Sequence, residues 1–122
     1  MSRDWTLFLA DIAEACCLIE QFTAGLSRDS FASDALAFHA TVRNLEIIGE
    51  AAKRLPEEAK AKMPEVDWRG AARFRDVIVH RYFALDPDVV WDIVETKLPA
   101  LRYAALRLLA EMDQSGTAGG DS

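Results

Sequence analysis

Wherever this chain is periodic, its apolar residues return every three or four positions, and no segment alternates as a half-buried strand would. That single period restricts the fold to packed helices. Trp5, Leu9, Ile12, Cys16 and Ile19 lie at spacings of 4, 3, 4 and 3, one face of a first helix, with Gly25 just beyond as a terminator. A second helix is expected to begin near "SRDS", capped by Asp29 or Ser30, with Phe38, Val42, Leu45, Ala52 and Leu55 as its stripe. Pro56 stops it or opens the short acidic helix "PEEAKAKM". Asp67 caps a third long helix. Asp86 followed by Pro87 at the first helical position starts another, whose inner face is Val90, Ile93, Val94, Leu101, Ala105, Leu108 and Met112. Pro99 should kink or split it. The expectation is an all-α, single-domain, up-and-down bundle of about five helices over residues 1–113, with residues 114–122 a disordered tail that has little to bury.

Composition narrows the compartment and the chemistry. No apolar run is long enough to cross a bilayer, and acids interrupt the apolar stretch of "MSRDWTLFLADIAEACC" in a way no signal peptide does. The chain is expected in the cytoplasm. Cys16 and Cys17 are adjacent and read as reduced, with Cys16 in the core. Trp68 and Trp91 read as packing anchors. Two histidines far apart, with no carboxylate at ligand spacing, give no reason to expect a metal or other cofactor.

The formal charge of −6 argues against a general nucleic-acid coat, yet the charge is unevenly spread. Between Asp67 and Tyr82, Arg69, Arg73, Arg75 and Arg81 face only Asp67 and Asp76, so a segment of +2 sits on a body of −8. "RFRDVIVHRY" (73–82) is therefore a focused anion site on an acidic protein. Histidine titrates near neutrality and can exchange a proton with a ribose hydroxyl or a leaving 5′-oxygen. Arginine clamps phosphate with a planar fork, and a tyrosine offers a hydroxyl and a stacking face. His80, Arg75 and Tyr82 together describe metal-independent cleavage of an RNA phosphodiester. Arg73, Asp76 and Arg81 are weaker candidates for phosphate or RNA contact.

Helical geometry raises an objection. Phe74, Val77, Ile78 and the Tyr82 ring should pack inward, and Arg75 and Tyr82 fall within about 20° of each other. Arg75 and His80 stand about 140° apart on a continuous helix. They converge only if the helix ends near His80 or if two copies meet across a two-fold axis. The stripe His39, Arg43, Glu46, Glu50, Lys53 alternates in charge and reads as a solvated face, with a cleft wall as the lesser alternative.

"RDVIVHRY" (75–82) fits the pattern R-x4-H-x-Y, which resembles the signature of the HepT-like branch of HEPN domains, the toxin halves of HepT–MntA toxin–antitoxin modules. "VRNLEIIGEAAKRLP" (42–56) is similar to that family's second-helix motif, and "DWRGAARFRDVIVHRYFALDPDVVWDIVETKLPAL" (67–101) follows its later pattern. The resemblance implies a HEPN-like fold, Arg75 and His80 as the ribonuclease pair, and a homodimer. It also implies that Tyr82 is the residue an MntA-like nucleotidyltransferase antitoxin modifies with AMP to silence the toxin. The family commonly carries asparagine where Asp76 stands and glycine where Arg73 stands. The rival reading is a non-catalytic HEPN helical partner of the nucleotidyltransferase; a third is a structural adaptor.

Overall fold

Gly25 adopts a φ of +78°, the left-handed conformation that closes a helix, two residues past the end of the first element. The computed structural model describes the backbone of residues 3–120 and the side chains of residues 5–113. In chain order the helices are α1 (Arg3–Thr23), α2 (Arg28–Ala32), α3 (Ala35–Arg54), α4 (Glu57–Ala61), α5 (Trp68–Arg81), α6 (Pro87–Thr96) and α7 (Leu98–Gly120). A 3-10 turn over Tyr82–Ala84 follows α5, and the described residues contain no strand. Five helices have ten residues or more, as the apolar period requires; α2 and α4 are five-residue connectors. The side chains of 114–122, the expected tail, lie outside the described residues.

Local signals explain the boundaries, with one correction. The long second helix does not begin at Asp29 or Ser30. Ser27 caps α2 in a reciprocal capping box with Ser30, and Asp34 caps α3 by accepting from the Ala37 N–H at 3.0 Å. Splitting the segment lets Phe31 turn fully inward, where its ring meets Phe38 and Trp91 at centroid distances of 5.9 and 5.2 Å. Leu55 and Pro56 end α3 and lead into α4. Asp67 accepts from the Gly70 N–H at the start of α5, and Asp86 from the Asp88 N–H ahead of Pro87. Pro99 falls in the first turn of α7, where its missing donor costs nothing, so it splits the last two helices.

α1 lies against α3 on one side and α7 on the other; α3 in turn carries α5. Leu9, Ile12, Cys16 and Ile19 are buried against Val42, Leu45, Ile48 and Leu108. Burial pushes the Cys16 thiol up to about 12, with nearby Glu20 adding to the shift. Both predicted anchors are buried, and the Trp68 indole N–H donates to the Met63 carbonyl at 3.0 Å.

The segment of greatest interest is the least buried of the long helices. In α5 only Trp68 and Ile78 are buried, while Phe74 and the Tyr82 ring pack partly onto the core. Val77, expected inward, is 40% exposed. The reason is that α5 presents Ala71, Arg75, Ile78 and Tyr82 to α3, and Val77 is rotated about 100° away from Ile78. Among the described residues no helix is long and apolar enough to cross a membrane.

Candidate functional site

Two helices build the site, and a glycine sets their separation. A Cβ on Gly49 of α3 would stand 2.6 Å from the Ala71 carbonyl oxygen of α5 and closer still to the Arg75 Cβ. Only a glycine allows that approach. It brings the next residue, Glu50, to Arg75: Glu50 Oε1 and Arg75 Nε lie 2.9 Å apart. Both atoms are shut off from solvent, and neither has an aligned hydrogen-bond partner. They hold each other by charge more than by direction. Arg75 Nη1 also donates to Asp76 Oδ1 at 3.2 Å, so the guanidinium is fastened to two carboxylates.

About two turns beyond Arg75, at the other end of this contact, Tyr82 meets His39. Tyr82 Oη and His39 Nδ1 lie 2.6 Å apart, with ring planes 6° from parallel and centroids 5.7 Å apart. The pairings 49–71, 50–75 and 39–82 run in opposite directions along the two helices, so α3 and α5 are antiparallel here. The stripe His39–Arg43–Glu46–Glu50, expected to be solvated, thus walls the site instead. Part of the solvated reading holds, since Arg43 pairs with Glu46 and Glu50 with Arg54, each at 3.3 Å. Arg75, Glu50, Glu46, Arg43, Arg54 and Asp11 line a cleft of about 220 Å³ between α1, α3 and α5.

His80 is elsewhere. α5 remains helical through Arg81, and the backbone leaves the helix at Arg81 itself, with φ −136° and ψ 35°. His80 is therefore still in the last turn, about 140° round the helix from Arg75, and exposed. The helix does end near His80, at Arg81, but too late to turn His80 toward Arg75. Arg73 lies seven residues before His80, about 20° away, so the outer face carries Arg73, Asp76 and His80 together. Among the described residues, Arg73, His80 and Arg81 make no ion pair. The structure thus brings Arg75 to Tyr82's side of the helix, with His80 and Arg73 on the opposite one; Asp76, bonded to Arg75, connects the two faces.

Sequence reasoning gave no role to Gly49, and placed His39 and Glu50 only on a charged stripe, as a solvated face first and a cleft wall second. A glycine inside an otherwise good helix costs about 1 kcal/mol against alanine, which was the available signal of a close helix approach. Nothing in a single sequence pairs residues 39 and 82. Within the described residues no group of three or more His, Cys, Asp and Glu side chains is gathered as a metal site.

Comparison with known proteins gives the family. The model of the family described as "Ribonuclease HepT-like" matches residues 12–108. The probable ribonuclease HepT of Thermococcus cleftensis is 43% identical over 102 residues, which cover 84% of this chain and 93% of that protein. A protein of Methanocaldococcus jannaschii named "Putative RNase MJ0127" is 43% identical over 97 residues, covering 80% of each chain. No solved structure matches. With Gly49 of α3 and the R-x4-H-x-Y helix both inside the matched range, the chain belongs to the HepT-like ribonuclease family.

Proposed function

We propose that this chain is the toxin of a toxin–antitoxin module: a cytoplasmic, metal-independent endoribonuclease that is silenced when a nucleotidyltransferase antitoxin transfers AMP to Tyr82. The observation that carries the reading is the exposed outer helix α5. In a chain of ribonuclease relatives it displays Arg73, His80 and Arg81 to solvent and holds Arg75 and Tyr82 at its flank. His80 exchanges the proton of the attacking 2′-hydroxyl or the leaving 5′-oxygen. Arg75 stabilises the charge that grows on the phosphate. AMP on Tyr82 adds a negative phosphodiester to the same α3-facing side of α5 that carries Arg75, where it competes with substrate phosphate by charge.

One copy does not bring Arg75 and His80 together, so the active form is a homodimer in which arginine and histidine come from different chains. Val77, Val79 and Phe83, exposed by 40%, 46% and 102%, supply apolar area for that interface. They replace Phe74 and Ile78 in that role, because Ile78 is already consumed by the core. One observation favours the non-catalytic reading: Arg75 is already held by Glu50 and Asp76.

The test is induced expression and purified-enzyme assay of wild type, Arg75→Ala and His80→Ala. Wild type should stop growth and cleave RNA in the presence of EDTA, leaving 2′,3′-cyclic ends. Each variant should lose cleavage by at least about a hundredfold while its circular dichroism is unchanged. Light scattering should give twice the 13.6 kDa chain mass, and mixing the two inactive variants should restore part of the activity. Absence of RNA cleavage by wild type would establish the non-catalytic reading instead, and full cleavage by His80→Ala would remove His80 from the site.

A further inference from the structure

We infer that His39 is the base that removes the Tyr82 hydroxyl proton as that oxygen accepts the adenylyl group. The inference rests on the reading of Tyr82 as the AMP acceptor and adds the residue that makes it reactive. A phenol is a weak nucleophile near neutral pH and needs an adjacent acceptor for its proton. Tyr82 has one, 2.6 Å away, a short hydrogen bond. Nδ1 is the ring nitrogen that faces the phenolic oxygen, and the two rings lie nearly parallel.

Both partners are fixed from separate elements. His39 stands in the second turn of α3 with its ring edge-on to Phe38 at 5.2 Å. Tyr82 leads the 3-10 turn with its ring packed against the core. The histidine is itself exposed, so the pair opens to a partner enzyme and to bound nucleotide.

The step balances as follows. With His39 in its Nε2–H tautomer, the Tyr82 O–H donates to Nδ1. A lone pair of Tyr82 Oη forms a bond to the α-phosphorus of a nucleoside triphosphate, and the bond from that phosphorus to the bridging oxygen breaks. Pyrophosphate departs with the electron pair, and the Oη proton passes to His39 Nδ1. The resulting imidazolium lies beside the new phosphodiester anion and holds it by charge.

The experiment presents purified wild type, Tyr82→Phe and His39→Ala to the nucleotidyltransferase with ATP, followed by intact mass and peptide mapping. His39→Ala should lower kcat for AMP transfer by roughly a hundredfold at an unchanged KM, with circular dichroism and melting as in wild type. Free imidazole should restore part of the lost rate in His39→Ala and none in Tyr82→Phe. Modification of His39→Ala at the wild-type rate, while Tyr82→Phe stays unmodified, would overturn the inference and leave the acceptor reading standing. A loss expressed in KM and indifferent to imidazole would also overturn it, as the mark of a merely structural contact. Wild type left unmodified, or Tyr82→Phe modified as readily, would remove the acceptor reading itself and this inference with it.

Discussion

Gly49→Ala tests the contact on which the site is built. The new methyl would meet the Ala71 carbonyl oxygen at 2.6 Å, well inside the 3.4 Å at which ordinary contact begins, and would overlap the Arg75 Cβ. Both neighbours are fixed by the α5 backbone, so no side-chain rotation relieves the clash and the helices must part. Alanine recovers about 1 kcal/mol of helix propensity. Overpacking costs about 1–3 kcal/mol, and two rigid partners place this site at the upper end. The net is a destabilisation of about 1–2 kcal/mol, or roughly 3–8 °C in Tm for a chain of this length. The site should suffer more than the fold, because parting α3 from α5 separates Glu50 from Arg75 and His39 from Tyr82. Thermal melts at matched concentration, run beside RNA cleavage, read both effects. Gly25→Ala is the contrast: nothing lies within 4 Å of its Cβ, so only its φ of +78° is penalised, about 1 kcal/mol, and cleavage should persist. Gly49→Ala melting at or above wild type with full cleavage would refute the reasoning.

Glu50→Gln should tighten RNA binding about fivefold at low salt, because a carboxylate that competes with phosphate for Arg75 is gone. Fluorescence anisotropy against salt is the measurement, and weaker binding would show that Glu50 orients Arg75 more than it occupies it. Cys16, buried and with its thiol pushed up to about 12, should resist iodoacetamide at pH 8, where exposed Cys17 should react. Mass spectrometry should find one adduct on the native chain and two after denaturation; two on the native chain would contradict the burial.

Most of the fold could be read from spacing because each signal acts locally. Asp67, Asp86 and Pro87 satisfy or omit backbone donors within three residues, and the structure uses each of them as its type requires. Pro99 resolves into a helix boundary for the same reason. The start of α3 was misplaced because two capping signals, at Ser27 and Asp34, lie within one short stretch. What decides between them is the burial of Phe31 against Trp91, sixty residues away, and no local rule contains that contact.

The site divides along the same line. Helical rotation correctly separates Arg75 from His80 and unites Arg75 with Tyr82, since these follow from position on one helix. It cannot say which neighbour each face meets, and that is where chemistry is decided. An alternating stripe such as His39–Arg43–Glu46–Glu50 is indistinguishable by spacing from any solvated helix face. It becomes a cleft wall because Gly49, next to its last member Glu50, draws α5 close. The consequence is a motif whose members serve opposite surfaces. Arg75 and Tyr82 answer to α3 within their own chain, with Glu50 and His39 as their partners. His80 and Arg73 face outward and are exposed, with no ion pair among the described residues. On the proposed function, modification at Tyr82 would act on the arginine half of the site and pairing of chains would supply the histidine half, so the two controls should be broken independently by His39→Ala and by a polar residue at Phe83.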